Sequence, residues 1–158
     1  MALGGPAGLA VGDPVLTADG LVGRIADLTA STAEVRLITD PNSRIACQLD
    51  PVAPETGVVR GILHGAGWRA GPAARPELLH VVDPLRLRYI ERDVVPPPRT
   101  RVVTSGLGGT LPPGLLVGYL LDSEVDENGL YRMGDVMPAV DFGALTLVYA
   151  MVSGGRAP

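Results

Sequence analysis

Apolar and polar positions alternate in short runs along this chain. In "LRLRY", Leu85, Leu87 and Tyr89 fall on one side, and Arg86 and Arg88 on the other. That period of two marks a strand with one buried face. "RIACQLD" repeats it, with Ile45, Cys47 and Leu49 alternating with Ala46 and Gln48, and "AEVRLIT" follows it over part of its length. Runs of this kind predict strands over 15–17, 21–28, 34–39, 44–49, 58–63, 78–82, 85–90, 101–104, 115–121, 130–137 and 145–152. The last run is almost wholly apolar, which predicts a strand buried on both faces or lying at an interface. Helix signals are weak. In the first half, the longest stretch without Gly or Pro is 24–40, and its Thr29, Ser31 and Thr32 lower helix propensity. It reads as strand, turn, strand. One helical turn is expected around 139–143.

Two irregular stretches interrupt the strands. Residues 65–76, "GAGWRAGPAARP", form a long loop holding the only tryptophan, Trp68, and loops of that length are usually functional or mobile. Residues 92–100 contain Pro96, Pro97 and Pro98, which favour an extended polyproline segment. An internal echo lies on either side. "VLT" at 15 returns as "VVT" at 102, an offset of 87, and "LVG" at 21 returns at 116, an offset of 95. The second copy thus carries eight extra residues around "LGGTLPPG". The expected fold is all-β, with two small β-barrels in tandem, one over 1–92 and the other over 93–158, divided at the proline segment.

Composition supports this picture. The 158 residues include 21 Gly and 15 Pro, placed between apolar runs as in a chain with many tight turns. The net charge is −4, and no Lys/Arg cluster stands out beyond alternating arginines, so nucleic acid is not an expected partner. The single Cys47 excludes an internal disulfide and a cysteine-built zinc site, and its alternation makes it a small core residue. Every apolar stretch is broken well before a membrane span's length. The opening "MALGGPAGLAVGDPV" has neither a basic region nor a signal-like apolar core. A soluble chain is expected.

The stretch with most chemical promise is "RVVTSGLGGTLPPGLLVG" at 101–118. A phosphate loop would need Lys-Ser or Lys-Thr opening a helix, but Gly109 is followed by Thr110, Leu111, Pro112 and Pro113. A dinucleotide fingerprint has different spacing. A nucleophile elbow needs glycine two residues before the serine, and Val103 stands there before Ser105. The histidines are His64, at a strand end, and His80, inside a predicted strand. Without a cysteine partner these two do not make a closed zinc site. Asp122, Glu124, Asp126 and Glu127 lack calcium-loop spacing and read as a solvated hairpin tip at Asn128-Gly129. No catalytic residue, cofactor site or metal site is therefore expected. Gly20, Gly23, Gly106, Gly108, Gly109, Gly114 and Gly118 are assigned instead to turns and barrel corners, where positive φ or close backbone approach is needed.

Taken together, "GDPVLTADGLVGRI" (12–25), "LITDPNS" (37–43), "GVVRGIL" (57–63), "RYI" (88–90), "VVTSGLGGTLPPGLLVG" (102–118) and "VMPAVDFGALTLVYAMV" (136–152) resemble the rod shape-determining protein MreC family, over nearly the whole chain. The resemblance implies paired β-barrels, similar in layout to trypsin-like proteases but without their catalytic residues. It implies a non-enzymatic scaffold of cell-wall elongation and cell-shape maintenance on the periplasmic or extracytoplasmic face. Implied partners are the elongation transpeptidase (a class B penicillin-binding protein), MreD, the MreB-linked machinery and further copies of the chain. Family members also carry a membrane helix and a coiled coil that are not in this sequence. The chain begins near the end of where the family's first strand falls, so the first barrel is expected to lack it. Where the family usually has Gly-Asp before the second "VVT", this chain has Arg99-Thr100. Self-association is expected through Thr146, Val148, Ala150 and Val152, the outer face of the final strand. Two other readings fit the residues: an inactive or cryptic trypsin-like hydrolase relative, and a β-barrel binding a small ligand or glycan.

Overall fold

The structure, a computed structural model, describes residues 2–4 (as backbone), 8–50, 57–65, 85–109 and 111–152. The strand expected over 78–82, with His80, and the Trp68 stretch of the long loop lie outside the described residues. The strands are β1 (Ala2–Gly4), β2 (Pro14–Leu16), β3 (Leu21–Leu28), β4 (Thr32–Leu37), β5 (Arg44–Leu49), β6 (Arg60–Gly65), β7 (Leu85–Glu91), β8 (Thr100–Thr104), β9 (Leu116–Val125), β10 (Tyr131–Pro138) and β11 (Tyr149–Ala150), with a 3-10 turn at Phe142–Ala144 before β11. The all-β class follows from the alternating runs. The expected helical turn near 139–143 is this 3-10 turn.

The sequence echo is a structural repeat. In the β2–β3–β4 meander, Val15 pairs with Gly23 and Leu16 with Leu21 across a bulge. In the β8–β9–β10 meander, Val102 pairs with Gly118 and Val103 with Leu116 across the same bulge. The hydrogen bonds repeat with it: Thr17 N to Gly20 O and Thr104 N to Leu115 O (both 2.9 Å), then Ile38 N to Val22 O and Ala139 N to Val117 O (both 3.0 Å). The two "LVG" glycines do one job. A Cβ on Gly23 would strike the Arg36 carbonyl, and one on Gly118 the Met137 carbonyl. They allow close strand approach and are not turn residues, as neither has positive φ. Gly106, Gly108, Gly109 and Gly114 do have positive φ and occupy the inserted loop. Gly20 packs between the meanders, its Cβ position 2.7 Å from Leu116 O and 3.2 Å from Ala139 Cβ.

The sheets are not assembled along the expected 1–92 and 93–158 division. One closed barrel runs β10-β7-β6-β5-β8-β9, and the other unit is a five-stranded sheet in the order β1-β4-β3-β2-β11. The boundary at 92/93 therefore falls inside the barrel. The physical reason is pairing across the divide: Cys47 lies opposite Thr104, Gln48 opposite Val103 and Leu49 opposite Val102, while β11 returns to β2. The proline segment bridges β7 to β8. Buried Ile45, Cys47, Leu63, Leu85, Leu87, Ile90, Val102, Val117, Leu120 and Val136 fill the barrel, joined by Leu21 and Ile38 from the sheet. Val15, Val22, Ile25, Ala33, Val35 and Val140 form the sheet's own core. Phe142 packs against both clusters and ties the two units together.

Two expectations about side-chain phase are corrected. In β7, Arg88 and Tyr89 together face Met133 of β10 at a bulge, and Tyr89 takes φ 63°. The extra residue shifts the alternation, so Ile90 enters the core and Tyr89 points outward, 51% exposed. In 145–152, only Tyr149–Ala150 is strand. Asp141 caps the 3-10 turn, its Oδ1 accepting from Gly143 N at 3.0 Å, and the chain enters β11 in the opposite phase.

Candidate functional site

The glycine-rich insertion is a pinned loop. Thr104 is fully buried; its Oγ1 donates to Pro112 O (2.7 Å) and accepts from Leu115 N (3.0 Å). Ser105 N donates to Ala46 O, and Gly114 N to Thr104 O. These bonds tie both ends of the loop to β5 and β8. The Ser105 hydroxyl accepts from Leu107 N at 3.2 Å, so it serves its own loop.

His64 and Cys47 are placed for structure. His64 Nε2 is buried without a hydrogen-bond partner, and its ring lies 6.2 Å from that of Tyr89. Burial, and after it the charges of Arg44 and Arg88, push its pKa down to about 4. The imidazole is neutral at neutral pH, and no hydrogen bond joins it to Ser105. Burial pushes the Cys47 thiol up to about 12, so it stays protonated and packs as a core residue. Among the described residues, no group of three His, Cys, Asp or Glu side chains could hold a metal ion. The acidic turn is a hairpin tip: Asp126 N donates to Tyr131 O at 2.8 Å, and Asp126 Oδ1 accepts from Leu130 N at 3.2 Å.

The feature best suited to contact is apolar. On and beside β11, Leu147 is 63% exposed, Tyr149 57%, Met151 41% and Val152 47%. The strand continues along β2, with Met151 N donating to Pro14 O at 2.8 Å, and its outer edge carries no further strand among the described residues. Of the four residues expected on the outer face, Val148 packs against the sheet core and Ala150 is half-buried, whereas Thr146 and Val152 are exposed. The exposed apolar set is therefore Leu147, Tyr149, Met151 and Val152. A second exposed feature escaped sequence reasoning: Tyr89 and Tyr131 meet edge to face on the barrel wall, centroids 5.5 Å apart and planes at 85°.

Residues 2–152 match the family model described as "Rod shape-determining protein MreC, barrel core". Over 115 residues the chain is 39% identical to the cell shape-determining protein MreC of Caulobacter vibrioides, an alignment spanning 73% of this chain and 28% of that protein. The solved MreC of Listeria monocytogenes superposes with a TM-score of 0.76 at 26% identity, covering 93% of this chain and 63% of that one. The Helicobacter pylori MreC solved in complex with Penicillin-Binding Protein (PBP2) shares the fold, with a TM-score of 0.62 at 17% identity over 89% of this chain and 77% of that one. The chain thus spans well under half of its Caulobacter relative. With the family model matched from the first described strand to the last, the chain belongs to the MreC family and carries its barrel core.

Proposed function

We propose that this chain is the working surface of a non-enzymatic scaffold for cell-wall elongation and cell-shape maintenance. The observation that carries the reading is the family match over 2–152, together with a relative from Helicobacter pylori that was solved bound to a penicillin-binding protein. The same reading places the barrel core on the extracytoplasmic face, with the full-length protein held to the membrane. Among the described residues, no helix is long and apolar enough to cross a membrane. The elongation transpeptidase is the direct partner, with MreD and the MreB-linked machinery reached through the whole protein.

The chain's chemistry suits contact. Its thiol is protonated, its described histidine is neutral and its loop serine is engaged locally. Self-association is assigned to Leu147, Tyr149, Met151 and Val152 on the sheet edge that has no further strand among the described residues, since exposed apolar patches mark interaction sites and a free strand edge accepts a further strand. The test uses cells depleted of the native protein and supplied with the full-length parent. A parent carrying Ser105→Ala and His64→Gln restores cell width and length, and one lacking the barrel core does not. Failure of the folded double variant to restore shape would favour the hydrolase reading.

A further inference from the structure

The outer wall of the barrel over β6, β7 and β10 sets cations around the tyrosine pair. Gly61, Leu63 and Gly65 are buried, as are Leu85 and Leu87, so the intervening Arg60, Ile62, His64, Arg86 and Arg88 face outward. His64 lies opposite Arg86, and Ile62 opposite Arg88. At the bulge, Arg88 and Tyr89 both stand against Met133, and both are exposed. Tyr89 takes φ 63° there, a region that bulky L-residues rarely adopt and that costs backbone energy. The fold thus carries local strain to hold this ring outside the barrel, where it meets Tyr131 edge to face. On these three strands there are two carboxylates. Asp135 is paired with Arg86 at 3.4 Å, and Glu91 lies opposite Tyr131 at the strand end. Arg60 and Arg88 form no ion pair with a described carboxylate. They are diagonal neighbours across β6 and β7, a backbone separation of about 7–8 Å that two arginine side chains can bridge. The positive charge of Arg88 is felt at His64, whose ring is 6.2 Å from that of Tyr89.

Cations and rings ask for different groups. The guanidiniums ask for an anion, and arginine suits a carboxylate because its planar fork can donate two parallel hydrogen bonds. The face of a tyrosine ring is electron-rich and attracts the slightly positive C–H face of a sugar. A carboxylate alone would leave the rings uncovered, and a neutral sugar would leave the arginines without a partner. Rings set at 85° offer a corner and not a flat platform. A corner suits a narrow polymer better than a folded protein, whose stable interfaces cover about 800 Å² a side. We propose that this wall binds a glycan chain bearing carboxylates, with a sugar ring against Tyr89 and Tyr131 and a carboxylate of its substituent on Arg88 and Arg60. The choice of a cell-wall glycan, an amino-sugar chain whose short peptides end in carboxylates, rests on the extracytoplasmic role proposed above.

The experiment titrates the isotope-labelled chain with a disaccharide-tetrapeptide muropeptide, chitotetraose and poly-L-glutamate, following backbone amide shifts by NMR. The muropeptide is expected to give saturable shifts at 60–64, 88–91 and 131–133. Chitotetraose, which has the sugars without the carboxylates, is expected to bind about tenfold more weakly. Arg88→Gln is expected to weaken the muropeptide by about the same factor, the scale of one lost charge-assisted hydrogen bond. Tyr89→Asn removes the ring and supplies a residue that tolerates the left-handed backbone, so the fold is expected to persist while muropeptide binding is lost. Tyr89→Phe keeps the ring and is expected to retain binding. Unsaturable shifts, equal binding of muropeptide and chitotetraose, or undiminished affinity in folded Arg88→Gln or Tyr89→Asn would overturn the proposal. So would poly-L-glutamate reproducing the same shifts at the same carboxylate concentration, which would make the wall a site for an acidic protein. The readout is the glycan alone, so a negative result here leaves the transpeptidase contact to its own test.

Discussion

Position 12 of the first meander and position 99 of the second are equivalent, and they solve one backbone problem with different residues. Gly12 has φ 95° and Arg99 φ 66°. Gly12 N donates to Ile25 O at 2.8 Å, and Arg99 N to Leu120 O at 2.6 Å. A left-handed conformation costs an L-residue about 1–2 kcal/mol. Glycine avoids that cost but gives up about 0.5–1 kcal/mol through its greater freedom in the unfolded chain. Arg99 is exposed, so removing its side chain loses little packing. The difference predicts that Arg99→Gly stabilises the fold by about 0.5–1 kcal/mol. Gly12→Ala should lose a similar amount, since its Cβ would meet nothing within 4 Å and only the backbone term remains. At this chain length, 1 kcal/mol corresponds to about 2–4 °C in Tm. Urea unfolding of both variants, with unchanged m-values, measures the pair. An Arg99→Gly variant less stable than the parent, or a neutral Gly12→Ala, would refute the argument from backbone strain.

Other positions separate strain from collision. Gly118→Ala drives a Cβ into the Met137 carbonyl and should cost about 1–3 kcal/mol, whereas Gly108→Val meets open space and should cost about 1–2 kcal/mol from its φ alone; thermal melts showing no loss in either would contradict this. His64 makes stability pH-dependent. Its folded pKa lies below its unfolded value, so its contribution is complete above about pH 6.5 and is lost as pH falls through about 4. The full shift would be worth about 3 kcal/mol, and partial exposure of the ring reduces that to about 1–2 kcal/mol. The urea midpoint should drop less between pH 7 and pH 4 in His64→Gln than in the parent. For self-association, Tyr149→Glu should turn a concentration-dependent oligomer into a folded monomer in sedimentation, whereas Val148→Glu should unfold the sheet. A parent monomeric throughout the micromolar range would remove that contact.

Much of the fold was legible because its signals are local. Strands β3 and β5 were read to the residue from alternation and flanking turn residues, and the echo between "VLT…LVG" and "VVT…LVG" proved to be a repeated register with a repeated bulge. What escaped depends on partners distant in sequence. The bulge at Tyr89 reverses a face without altering the residue pattern, since it is set by how β7 meets β10. The division of the sheets depends on β5 pairing with β8 and β11 with β2, pairings that no single run encodes. The exposed edge of Leu147, Tyr149, Met151 and Val152 depends in the same way on β11 returning to β2 as a strand of only two residues. The sequence assigned the glycines together to turns and corners and did not distinguish Gly23 and Gly118, whose Cβ positions meet a backbone carbonyl, from Gly108 and Gly109, which have positive φ.

The proposed function rests on contact between this barrel core and the elongation transpeptidase. The most direct test is the affinity of the purified chain for the soluble ectodomain of the class B penicillin-binding protein from the same cell, measured by interferometry with the transpeptidase immobilised. Saturable binding at 1:1 stoichiometry, unchanged by Ser105→Ala and His64→Gln, is expected. Absence of binding by the folded chain at high micromolar concentration, or binding that disappears with the Ser105 hydroxyl, would contradict it.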